Sequence, residues 1–405
     1  MSIYLARQPI FDRNQNVVAY ELLHRSSEIN QYTAGDGDQA TSELIANVFL
    51  NMGLESITRG KRAFINFTKQ LLESDTVLLL PKEHITIEIL ENIEPDEDII
   101  ATCKRLRESG YSLALDDYTG NEDGGYKTLL GLSEVVKIDL HKLKLSDRAQ
   151  LDRIIKNKKN TFLAEKVETV DDFNKAKALG FELFQGFFFC KPVMLSGKSI
   201  SASQVHTIRL LQEIYRPELD YDRIEALIKE DLTLSYKLLR CINSLVYAIR
   251  MPINSIRQAI VLLGQKELIK WASLACLHTA GNDKPDELMV TALCRAKFCE
   301  SIALSAGLTK QSSEYFLIGL FSLLDTFFDR PMAEILAELP LAEEVKETLL
   351  GKPGKYKSAL EIALFYESGD FNSAYELAAS EYGLNRDKIA SCYLDAIKLA
   401  DTQWA

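Results

Sequence analysis

The sequence lacks the features that mark sulfur-bound metal sites, secretion or membrane insertion. Its seven cysteines, Cys103, Cys190, Cys241, Cys276, Cys294, Cys299 and Cys392, are scattered, and no C-x-x-C pair occurs. That spacing indicates neither a zinc knuckle nor a disulfide framework, and the expected state is buried free thiols in a reducing cytoplasm. The N-terminal stretch MSIYLARQPIFDR carries no apolar signal core. The longest apolar run, YFLIGLFSLL at 315–324, is about half a bilayer span, so no membrane partner is expected. Basic charge is in deficit, with 47 Lys and Arg against 58 Asp and Glu and a net charge of −11. A phosphate backbone wants a basic face, which argues against nucleic acid as the main partner. A small phosphorylated ligand held by metals and a few Arg or Lys remains compatible.

What is present is an ordinary globular composition, 47% hydrophobic and 26% charged, in a chain of 405 residues, long enough for two or three domains. The stretch LALDDY at 113–118 ends an apolar strand in two adjacent carboxylates, Asp116 and Asp117. Side chains alternate across a strand, so the two cannot both face a core. At a strand's mouth they offer oxygens to hard cations such as Mg²⁺ or Mn²⁺. Taken alone, such a pair reads first as an ordinary exposed turn, since Asp favours turns.

The neighbouring strands repeat the pattern. Residues 3–10 and 17–24 read as a hairpin across a polar turn, the second strand bearing Glu21 and Arg25. Later strands are 62–67 with Asn66, 84–92 with Glu88 and Glu91, 135–140 with Lys137, 161–168 with Glu165 and 181–189 with Gln185. Helical stretches fall between them, including 36–53, 96–111 and 145–158. Such alternation predicts an α/β fold with a parallel sheet, and a closed TIM-like (β/α) barrel fits the count. Barrel chemistry sits at the C-terminal ends of the strands. A rim of carboxylates and amides around one Lys is hard to bury without pairing or a metal.

These residues also carry a family resemblance. Residues 1–195 resemble the EAL domain, the cyclic di-GMP phosphodiesterase fold. The carriers are ELLHR at 21–25 (Leu22 in place of Ala), Asn66-Phe67-Thr68, Glu88-Ile89-Leu90-Glu91, the Asp116-Asp117 pair, Lys137-Ile138-Asp139, AEKVET at 164–169 and Gln185-Gly186-Phe187. The resemblance implies a two-metal phosphodiesterase that turns cyclic di-GMP into linear pGpG. Glu21, Asn66, Glu88 and Asp116 would hold the first metal; Asp116 would bridge to a second, helped by Asp117. Glu165 would position or deprotonate water, Lys137 would stabilise it or the phosphate, Gln185 would orient water and Arg25 would contact the dinucleotide. Glu91 would support the loop. The segment YTGNEDGGYKTLL at 118–130 departs from the family's Gly-Thr-Gly-Tyr-Ser-Ser loop, reads as mobile and is expected to hold the second metal poorly. Lys166, in place of Gly, is expected to lower the pKa of Glu165.

Residues 190–203 are rich in Pro, Gly and small polar residues and mark a boundary. Beyond it the periodicity is helical over 204–405, predicting an all-α domain. Asp220 and Thr233 read as N-caps, and Gly264, Gly307 and Gly383 as stops. Residues 228–244 and 252–264 resemble the HDOD domain, a relative of HD-type phosphohydrolases. The histidines here, His206 and His278, are each followed by Thr, so the His-Asp dyad of a hydrolase is missing. No chemistry is expected in this half; the 315–328 stretch reads as core or a partner groove, and a protein partner is implied. A homodimer is compatible with the resemblance. Two functions stay open: a cyclic di-GMP phosphodiesterase favouring motility over biofilm, or a catalytically silent cyclic di-GMP receptor or scaffold.

Overall fold

The structure, a computed structural model, describes residues 5–24, 54–74, 77–78, 80–120, 124–142, 160–191, 202–216, 218–243, 255–281, 284–339 and 341–404. Arg25, Glu122, Asp123 and the helices expected at 36–53 and 145–158 lie outside these residues. The chain forms two compact units, Met1–Lys191 with Ile362–Ala405, and Pro192–Glu361.

In the first unit eight strands close into a barrel: β1 Leu5–Phe11, β2 Val17–His24, β3 Arg62–Phe67, β4 Ile85–Ile89, β5 Ser112–Leu115, β6 Val135–Asp139, β7 Thr161–Glu165 and β8 Leu183–Gln185. Pairing is parallel from β2 round to β8. Strand β1 runs against both of its neighbours, β2 and β8. Its reversal follows from the hairpin, whose turn is held by Asp12 Oδ1 accepting from the Asn14 and Asn16 amides at 2.8 and 2.9 Å. Strands β4, β5 and β6 are buried at every position, as a sheet covered on both faces requires.

The barrel floor is an apolar cluster of Ile10, Ala19, Phe64, Ala114, Val135 and Leu163, with Leu183 packed against it. Residues two apart on a strand share a face. Two steps toward the mouth from these floor residues stand Glu21, Asn66, Asp116, Lys137, Glu165 and Gln185. On the reversed β1 the same two steps lead backwards, from Ile10 to Gln8. Connecting helices are fixed by ordinary caps: Asp96 accepts from Ile99 N, and Thr169 with Asp172 forms a capping box at the start of helix Val170–Leu179, which ends at Gly180 with φ 103°.

The C-terminal segment of this unit takes in the end of helix Lys357–Ser368 and helices Phe371–Tyr382 and Arg386–Trp404. Tyr366 knits it together, with ring centroids 4.5 Å from Tyr393 and 4.9 Å from Phe371. Periodicity alone predicts one helical block over 204–405; the residues from Ile362 onward group instead with the barrel.

The second unit is helical, as the periodicity implied. Asp220 caps helix Tyr221–Glu230. The cap expected at Thr233 is Asp231 instead: its carboxylate accepts from Leu234 N at 3.1 Å, and Thr233 lies inside helix Leu232–Asn243. Gly264, at φ 68°, is non-helical and divides Ile256–Ala280 into two helices that meet at a kink, so it ends the first of them as expected. The stretch 312–328 breaks into Ser312–Phe321 and Leu324–Phe328, with every residue from Tyr315 to Phe321 buried, so it is core. Helices Asp286–Ser305 and Ser312–Phe321 approach so closely that a Cβ on Gly319 would lie 2.4 Å from the Arg295 carbonyl oxygen. Among the described residues no helix is long and apolar enough to cross a membrane.

Candidate active site

Period-two geometry delivers the rim residues to one spot, and Lys137 is its centre. Its ammonium stands 3.2 Å from Glu21 Oε2, 2.8 Å from Glu88 Oε1, 3.0 Å from Asp116 Oδ1 and 3.0 Å from Glu165 Oε1. The Lys137 and Glu88 side chains are 1% and 0% exposed, so this is a buried cluster and not a solvated ion pair. Asn66 Nδ2 donates to Glu21 Oε1 at 3.2 Å, and Gln185 Nε2 donates to Glu21 Oε2 at 2.7 Å. Seven of the residues singled out from sequence are thus brought together: Glu21, Asn66, Glu88, Asp116, Lys137, Glu165 and Gln185.

Electrostatics divide the carboxylates. Burial opposes charge on Glu21, but Lys137 and the Gln185 and Asn66 amides outweigh it and hold its pKa below the usual value. Glu88 has less help: burial, with Glu21 beside it, pushes it well above the carboxylate range. Burial also raises Asp116 and lifts Glu165 to about 7, in both cases against the pull of Lys137. Lys137 itself is desolvated, yet the four surrounding carboxylates drive its pKa well up, and it stays charged.

Three residues fall elsewhere. Asp117 sits in a left-handed conformation at φ 46°, and its carboxylate pairs with Lys142 outside the cluster. Glu91 is exposed beyond β4. Lys166 does not act on Glu165: at φ 54° it turns aside and pairs with Asp139 Oδ2 at 2.6 Å, leaving the Glu165 pKa raised where a fall was expected. In the stretch after the Asp pair, residues 121–123 lie outside the described residues. Tyr118 is buried with its amide on the Lys137 carbonyl at 2.9 Å, and Gly124–Leu132 is a helix.

One participant was missed. Gln8 Oε1 accepts from Gln185 Nε2 at 2.9 Å. The signal was available, since Gln8 faces Glu21 across the hairpin register. Behind Gln185, Gly186 at φ 145° lets the chain pass so close to Val167 that a Cβ would meet its carbonyl oxygen at 2.2 Å.

Among the described residues no three His, Cys, Asp or Glu side chains stand as a preformed metal-ligand group, because the carboxylates converge on Lys137 Nζ. The donor set still fits a hard divalent cation. Four carboxyl groups face one ammonium, an excess of negative charge whenever all four ionise, and the side-chain atoms able to ligate a cation there are oxygens. Glu88 Oε2 and Gln185 Oε1 are buried acceptors that receive no hydrogen bond, an arrangement a cation satisfies.

Comparison with known proteins agrees with this geometry. An EAL domain matches residues 2–192, and an HDOD domain matches residues 202–329. YuxH of Bacillus subtilis (strain 168) is 39% identical over 404 residues, 98% of each chain. Cyclic di-GMP phosphodiesterase CdgJ of Vibrio cholerae serotype O1 is 36% identical over 396 residues, 97% of this chain and 91% of CdgJ. The chain belongs to the EAL family, with an HDOD domain behind the EAL domain. A solved structure of Bacillus subtilis YkuI, an EAL-domain protein in complex with c-di-GMP and calcium, is 20% identical over 56% of this chain and 72% of its own. The TM-score between the two is 0.38.

Proposed function

We propose that the EAL barrel of this chain is a metal-dependent phosphodiesterase that hydrolyses cyclic di-GMP to pGpG. The observation that carries the reading is the convergence of Glu21, Glu88, Asp116 and Glu165 on the buried Lys137 ammonium, in a chain 36% identical to a cyclic di-GMP phosphodiesterase along almost its whole length.

In this reading Glu21, Asn66, Glu88 and Asp116 would hold one Mg²⁺ or Mn²⁺, and Asp116 with Asp117 would help to hold a second. Bound divalent cations lower the pKa of water and neutralise charge developing on the phosphodiester. Glu165, with a pKa lifted to about 7, takes the proton of the attacking water near neutral pH. Lys137 holds Glu165 by its 3.0 Å ion pair and offsets charge on the phosphate. Gln185 presents its oxygen to water, and Arg25 contacts the dinucleotide. Lower cyclic di-GMP would favour motility over biofilm, with the HDOD domain as a regulatory or partner-binding module.

A second reading, nucleotide binding without turnover, is favoured by one observation: Asp117 is turned to Lys142 and away from the cluster. Incubating the full chain with cyclic di-GMP and Mn²⁺ separates them. Formation of pGpG supports the enzyme, and saturable binding with no product supports the receptor.

A further inference from the structure

Strand β1 is held on both faces by the C-terminal segment that returns to the barrel. On one face, Arg7 lies 5% exposed and pairs with Asp401 of helix Arg386–Trp404, each Oδ receiving a guanidinium nitrogen at 2.8 Å. The same guanidinium donates to the Ile57 carbonyl and stacks 4.7 Å over the Tyr20 ring, and Arg59 adds a 3.6 Å pair to Asp401. On the other face, Gln8 Nε2 donates to the main-chain carbonyl of Glu367 at 3.1 Å.

Gln8 also touches the site. Its Oε1 accepts from Gln185 Nε2 at 2.9 Å, and that nitrogen donates onward to Glu21 Oε2 at 2.7 Å. Both ends of this chain, the Glu367 carbonyl and the Glu21 carboxylate, can only accept. Two amides strung between two acceptors have one consistent orientation. Each turns its nitrogen as described, and Gln185 Oε1 is left as a buried acceptor with no hydrogen bond. A carbonyl from residue 367 therefore completes the arrangement that sets the orientation of a site amide.

We propose that residues 362–404 are a structural part of the active site, and that Gln8 is the positioning residue through which their docking fixes Gln185 and Glu21. The idea rests on the reading of this cluster as a cation and phosphodiester site. It goes further by assigning regulation of that site to the C-terminal helices, so that whatever loosens them loosens the ligand set.

The test uses the full chain with Asp401→Asn, which weakens the clamp without altering a site residue, with Gln8→Met, which removes the relay, and with both. In metal-free protein, amide hydrogen exchange is followed over β2 and β8; with Mn²⁺ alone, affinity is measured by calorimetry. Asp401→Asn is expected to speed exchange over Leu183–Gln185 and weaken Mn²⁺ binding about fivefold, the weight of one ordinary hydrogen bond. Gln8→Met is expected to do the same, and the double variant to be no worse than Gln8→Met. Arg59→Gln, which loosens the clamp from its more exposed side, serves if Asp401→Asn does not fold. The proposal is overturned if the clamp variants lower only the melting temperature, with exchange at β8 and Mn²⁺ affinity unchanged. It is equally overturned if the two effects multiply, since the tail would then not act through Gln8. Absence of cyclic di-GMP cleavage would sink the enzymatic reading alone, because exchange is read without metal or nucleotide.

Discussion

Lys137 is the residue whose removal should be felt most. Taking away one partner of a buried ionic set leaves the others uncompensated, at a cost of roughly 3–5 kcal/mol. Lys137→Met is therefore expected to lower the urea midpoint of metal-free protein sharply, with Mn²⁺ recovering part of the loss; an unchanged midpoint would contradict the account of the cluster. Glu165 gives a pH signature. Its pKa in the folded chain is about 7, above the ordinary 4.5, so the folded state holds this proton more tightly than the unfolded one. Its unfavourable contribution is absent below the unfolded value and grows as pH rises to about 7, so metal-free protein loses stability over that window. Glu88 and Asp116 are raised too, so Glu165→Gln should reduce the slope of melting temperature against pH in EDTA without abolishing it. A slope equal to wild type would exclude Glu165 as the group. Most of the cluster was legible in the sequence, because Glu21, Asn66, Asp116, Lys137, Glu165 and Gln185 each stand two residues beyond an apolar floor position. Gln8 escaped because β1 runs the other way, so that its mouth-facing polar residue precedes the floor residue Ile10 instead of following it. Lys166 was misjudged since sequence adjacency to Glu165 says nothing of a left-handed residue whose side chain leaves for Asp139.

At the scale of elements, periodicity located the helices of the second unit closely, and local chemistry decided where they begin and bend. Asp231 outcompetes Thr233 as a cap because a carboxylate is the stronger acceptor for a helix N-terminus. Gly264 stops one helix as expected, and the next begins at once on its far side, where the apolar pattern resumes. Gly319 makes the sharpest prediction. An added methyl would meet the backbone of Arg295, which has no rotamer to yield. Gly319→Ala should destabilise the chain by about 1–3 kcal/mol, the range for overpacking, and chemical denaturation reads it directly; a shift below a few tenths would mean the helices separate freely.

At the scale of the whole molecule, the helical character of the residues beyond the barrel could be read from period. The return of residues 362–404 to the barrel could not. Period reports that a stretch is helical and amphipathic, not which surface it meets, and the Arg7–Asp401 pair joins positions at opposite ends of the sequence. Family membership rests on likeness along nearly the full length of CdgJ and YuxH, whereas turnover by this chain depends on whether its own oxygens close around cations. Glu21→Gln is expected to abolish turnover and, because Lys137 and the Gln185 and Asn66 amides favour the ionised Glu21 carboxylate, to lower the melting temperature of metal-free protein as well. The most direct measurement is chromatographic detection of pGpG from cyclic di-GMP, with the full chain and its Glu21→Gln variant, each with Mn²⁺ and with EDTA. Product from the unaltered chain with Mn²⁺ alone is the predicted result, and cyclic di-GMP left intact after hours with Mn²⁺ would contradict it.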